Sequence, residues 1–93
     1  MRMDPYTQIA ESIVQKLVLV LEGMALDRAR KVSGLQIDAA GHVQSVQGGA
    51  ATIESLIKEY QQLLGPASVS FARDAAHPII KQHPDIEIPQ ALR

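Results

Sequence analysis

An apolar band too wide for one face of a helix constrains this chain more than any other feature. From Ile9 onward, apolar residues fall at Ile9, Ile13, Leu17, Val20 and Met24, with a flanking row at Val14, Val18, Leu21 and Ala25. The spacing is helical, and the two rows together cover more of the cylinder than the stripe of an ordinary surface helix. Asp4 followed by Pro5 marks the start: the carboxylate can accept from a free backbone N–H, and proline at the first helical position gives up a donor that has no partner there. Arg28, Arg30 and Lys31 suit the negative end of a helix, and Gly34 breaks the pattern, so one long helix is expected within residues 1–31. Little chain is left to cover it. Of 93 residues 46% are apolar, but only Tyr6, Tyr60 and Phe71 are aromatic, so the core must be small and built from Leu, Ile, Val and Ala. The expectation is therefore an interface between two copies, carried on this helix by Ile13, Leu17, Val20, Leu21 and Met24. The competing reading makes it a central core helix, sandwiched by the rest of the chain.

The segment 35–46 reads differently from its surroundings. Leu35 and Ile37 alternate with Gln36 and Asp38, and Val43 and Val46 flank Gln44 and Ser45, so a β-hairpin is expected, although its second strand does not alternate cleanly. Asp38-Ala39-Ala40-Gly41 suits a tight turn, with Asp38 hydrogen-bonding onward and Gly41 taking a positive φ. Two strands of about four residues are marginal alone. The hairpin is thus expected to dock, either across the helices or against the same hairpin of a second copy, which adds Leu35, Ile37 and Val43 to the interface. Residues 51–76 read as two helices broken at Gly65-Pro66: Ile53, Leu56, Ile57, Tyr60, Leu63 and Leu64 follow the helical period, and Val69, Phe71, Ala72, Ala75 and Ala76 line the second. Pro78 is expected to end or kink that helix. Residues 77–93 hold three of the five prolines and are expected to form a short helical turn and an extended arm that packs across a neighbour. The fold class is α+β: about three helices, one hairpin and a proline-rich tail in a single small domain.

No residue pattern announces catalysis or a cofactor. His42, His77 and His83 lack the ligand count and spacing of a metal site, so no metal is expected. None of the serines sits in a nucleophile elbow. Gly48 and Gly49 precede a helix whose first turn holds Thr52, so a small-ligand or anion site formed by Gly48, Gly49 and Thr52 with His42 is the alternative to a docking role. A plain connector accounts for the glycines equally well. Nine basic residues balance ten acidic ones along the chain, which gives no electrostatic footprint for nucleic acid or an anionic membrane. Cysteine is absent, which rules out disulfides and thiolate chemistry. The richest apolar run, Leu17 to Leu21, is far short of a membrane span, and the first residues lack a signal-peptide core, so a soluble, unprocessed, cytoplasmic chain is expected.

The stretch Ser55 to Ala76, SLIKEYQQLLGPASVSFARDAA, adds a resemblance. A helix with Leu56, Ile57, Tyr60 and Leu64, a Gly65-Pro66 break and an alanine-rich helix with Phe71, Ala72 and Arg73 resemble small domains of bacterial signalling proteins, those appended to roadblock-type or kinase-like regulators. The resemblance implies a regulatory or scaffolding module with no catalytic residue to carry over. The sequence thus leads to a non-enzymatic module of protein–protein interaction, paired with itself and with a further protein partner.

Overall fold

The computed structural model describes residues 4–93; the first three positions of the expected 1–31 segment lie outside the described residues. Asp4 caps the first helix as its sequence suggests. Its Oδ1 accepts from the Thr7 N–H at 2.9 Å and its Oδ2 from the Thr7 hydroxyl at 2.8 Å, with Pro5 in the first turn. Helix α1 runs Pro5–Leu21, and there the expected long helix breaks. Helix α2, Gly23–Arg30, continues in a new direction after the single joint residue Glu22. The band's periodicity crosses this joint unaltered, which is why it reads as one helix. The bend is a packing solution: eight more residues along a straight axis would carry the chain about 12 Å past α1. Bending instead lets Ala25, Ala29 and Val32 become buried, and ties α2 to α3, Ala50–Leu64. The Tyr60 hydroxyl donates to the Ala25 carbonyl at 2.8 Å, and Arg28 donates to Gln62 at 2.9 Å and lies 3.6 Å from Glu59.

Strands β1, Leu35–Ile37, and β2, Val43–Val46, form a two-stranded antiparallel sheet with Leu35 opposite Val46 and Gln36 opposite Ser45. Ile37 is opposite Val43, so the register shifts by one and Gln44 is the extra residue. This bulge explains the imperfect alternation of β2. Val43 and Val46 are three apart, which would put them on opposite faces of a regular strand, and the added residue lets both pack on the core. The turn closes as its sequence suggests: Asp38 Oδ1 accepts from the N–H groups of Ala40 and His42, each at 2.9 Å, and Gly41 has φ 92.

Helix α4, Ala67–Gln82, follows the Gly65-Pro66 break and continues through Pro78 rather than ending there. Pro78 removes one backbone donor, but the freed carbonyl of Asp74 lies on an exposed turn that water can reach. Beyond it, Ile79 and Ile80 pack on the core and make continuation worthwhile. Residues 84–89 then turn back over the chain's own helices, and a 3-10 turn, Gln90–Leu92, buries Leu92. The arm is held within the chain. The Tyr6 hydroxyl donates to the Glu87 carbonyl at 2.8 Å, the Ala91 N–H donates to Glu54 Oε1, and Arg73 donates to the Arg93 carbonyl at 2.6 Å.

The whole is an α+β arrangement with four α-helices among the described residues, one more than the sequence suggests. Helix α1 sits at its centre, packed most extensively on α4 and touched also by α2, α3 and β2. Ile9, Ala10, Ile13, Val14 and Leu17 are fully buried, against Ile53, Leu56, Ile57, Tyr60, Ala72 and Ala76 in the same core. Among the described residues no helix is long and apolar enough to cross a membrane.

Candidate functional site

The joint between α1 and α2 leaves large apolar side chains in water. Leu19 is 83% exposed, Val20 43% and Met24 50%, and they are the exposed large hydrophobics among the described residues. All three lie within three residues of Glu22. Their exposure follows from the bend. The row that begins with the buried Ile9 and Ile13 continues in sequence to Val20 and Met24, but the chain turns away before the core can cover it.

Glu22 makes this turn in a conformation that suits glycine. Its torsions are φ 55 and ψ −132, and it is the one non-glycine residue with positive φ among the described residues. Two other helix boundaries take the same shape with glycine: Gly49 at φ 55, ψ −123 and Gly65 at φ 63, ψ −145. At both Glu22 and Gly65 the N–H donates to the carbonyl four residues back, Val18 and Gln61 respectively, at 2.8 Å in each case. The joint is therefore a regular helix stop built from an unsuitable residue. A side chain there costs about 1–3 kcal/mol in backbone strain.

The expected interface set divides sharply. Ile13, Leu17, Leu35 and Val43 are buried in the chain's own core, so a single chain already covers them. Helix α4 and the hairpin supply the cover. Leu21 and Ile37 are half-buried and pack against the same core, and Val20 and Met24 remain exposed. Leu19 belongs to neither apolar row, although it stands in the apolar run Leu17 to Leu21, so helical periodicity does not mark it. The hairpin lies across the helices, with β2 on α1 and β1 on α2. Glu11 of α1 reaches it: Oε1 accepts from the Val43 N–H at 3.0 Å and lies 3.3 Å from His42 Nδ1.

The candidate anion residues do not converge. The Thr52 side chain is buried and its hydroxyl donates to the Gln47 carbonyl, a clasp that holds the hairpin's exit against the start of α3. Gly49 packs closely under the Tyr6 ring, where a Cβ would lie 3.3 Å from Cε2. His42 is directed to Glu11 in the hairpin turn. Only Gly48 borders an open groove, of about 500 Å³, between the first turns of α3 and the C-terminal arm. That groove is lined by Lys58 and Arg93 but also by Glu54 and Glu87, so its charge is mixed. Glu54 is already committed to the Ala91 N–H. No cluster of three or more metal-ligating side chains exists among the described residues. Asp38 is held below the ordinary carboxylate range chiefly by the His42 N–H, and burial pushes the Tyr60 hydroxyl upward, both in structural roles. Compared with known proteins, the chain matches no family model, no curated protein and no solved structure.

Proposed function

We propose that the chain is a non-enzymatic protein–protein interaction or regulatory module that works as a homodimer and recognises its partners through the α1–α2 joint. The observation that supports this is the exposure of Leu19, Val20 and Met24 beside a strained joint, while the other large apolar side chains among the described residues are buried or partly buried. Apolar groups in that position lose free energy to water that a partner surface would restore, at about 25 cal/mol per Å². The regulatory part of the reading leans on the resemblance of Ser55–Ala76 to small domains of bacterial signalling proteins.

Light scattering across a dilution series tests it. The wild-type chain is expected to show twice the monomer mass at high concentration. The double variant Val20→Glu, Met24→Glu is expected to show monomer mass with an unchanged far-ultraviolet circular dichroism spectrum, because both side chains already face water. A wild-type chain that stays monomeric at every concentration refutes the homodimer. The alternative is ligand sensing. It predicts a rise of several degrees in melting temperature with a phosphorylated small molecule, and the interaction module predicts none.

A further inference from the structure

We infer that the α1–α2 joint is a hinge for exchange between two copies: α1 of one chain docks into the core of another, and Leu21-Glu22-Gly23 is drawn into one continuous helix. This rests on the homodimer reading above and specifies how the second copy binds.

Strain at the joint is the first support. Glu22 holds φ 55 and ψ −132, a conformation that the other joints assign to Gly49 and Gly65. Glutamate is a good helix former, so drawing the joint into a helix relaxes it to torsions it prefers. Short strained hinges between two regular elements favour exchange of those elements between copies. Gly23 would then lie inside a helix, where glycine is disfavoured, but that cost is smaller than the strain Glu22 gives up.

The uninterrupted apolar row is the second. At 100° per residue, Ile9, Ile13, Val20 and Met24 fall within about 60° of one another on a straight helix. In the closed chain Ile9 and Ile13 are fully buried, whereas Val20 and Met24 are 43% and 50% exposed. Straightening carries the row across the joint. Two such helices crossing at a twofold axis near residue 22 then cover each other's Val20 and Met24, the self-complementary arrangement that twofold symmetry requires.

The third support is area. Three exposed side chains fall well short of the roughly 800 Å² that each partner contributes to a standard interface. Exchange meets the requirement with contacts that already exist. The face formed by Ile9, Ala10, Ile13, Val14 and Leu17 is buried against α4 and β2 of the second copy as it is against its own, and only the contacts between α1 and α2 change.

Glu11 on α1 and His42 in the hairpin lie on opposite sides of the hinge in sequence and 3.3 Å apart between Oε1 and Nδ1. The chain has no cysteine, so a Glu11→Cys, His42→Cys variant carries a unique reporter pair. It is refolded at high concentration, treated with a short bismaleimide and run on a denaturing gel beside light scattering of the untreated protein. Exchange predicts covalent dimers. Dimer mass with cross-links confined to single chains overturns exchange and leaves the homodimer standing, whereas monomer mass with the same cross-links overturns both. Glu22→Gly provides a second measurement that does not depend on the cysteine variant folding. It relieves the closed joint and places glycine inside the straightened helix, so dimerisation is expected to weaken by about a hundredfold or more. An unchanged dissociation constant overturns the proposal.

Discussion

Glu22 and Gly23 show how finely a helix stop depends on which residue takes the left-handed torsion. Gly23 is the residue suited to positive φ, yet Glu22 adopts it, one position early, and Gly23 opens α2 instead. Replacing Glu22 with glycine in the single chain removes about 1–3 kcal/mol of strain, against about 0.5–1 kcal/mol for the extra freedom of the unfolded chain. The net gain of about 1 kcal/mol corresponds to a melting temperature about 4–8 °C higher for a domain of this size. Calorimetry in dilute solution, where single chains prevail, is the measurement. A lower melting temperature would show that Glu22 is not strained. Nothing in the sequence marks this residue. Glycine inside a helical pattern is tolerated as often as it terminates one, so the pattern fixes neither the break nor its position.

At the scale of elements, those with local chemical signals were legible and those governed by packing were not. Asp4-Pro5, the Asp38–Gly41 turn and Gly65-Pro66 each act through bonds to neighbours in sequence, and each sits where the residues indicate. The passage of α4 through Pro78 depends on Ile79 and Ile80 meeting a core that local sequence does not describe. The cap of α1 also gives a pH signature. Partial burial acts to raise the Asp4 carboxyl, but hydrogen bonds from Thr7 and Tyr6 together outweigh it and hold the group below its ordinary value of 3.8. A lowered folded value means that the unfolded chain binds more protons in that range. The cap's stabilisation is therefore complete above the ordinary value and is lost as pH falls through the folded one. Asp4→Ala is expected to cost about 1 kcal/mol at neutral pH, a gap that closes as the solution is acidified below the ordinary carboxylate range. Thermal melts of both proteins from neutral to strongly acidic pH decide it, and a gap that persists unchanged at the acid end would exclude Asp4 as a charged cap.

The whole molecule resolves the question of what covers a broad apolar helix. Most of the band on α1 is satisfied by α4, α3 and the hairpin, and the uncovered remainder is confined to the joint. The α+β class was legible in the sequence because alternation at residues 35–46 contrasts with helical spacing on either side. Placing the band inside or between chains was not, because that depends on where α4 and the C-terminal arm travel. The arm's course is set by single long-range bonds, such as the Tyr6 hydroxyl to the Glu87 carbonyl and the Ala91 N–H to Glu54, which leave no periodic trace. If two copies share the joint, stability depends on protein concentration, because association draws the native form away from the unfolded one. The melting temperature is expected to climb by several degrees across a hundredfold rise in concentration. A constant midpoint would place the native state in one chain.

The carboxylate of Glu11 on the backbone of β2 has a colloidal consequence. A strand edge with free amides invites stacking by other chains and, when repeated, fibril growth. Here the Val43 amide is already held by a charged side chain from another element, and any strand arriving at that position must displace it. The edge of β2 is thereby guarded at that position against accretion by other strands.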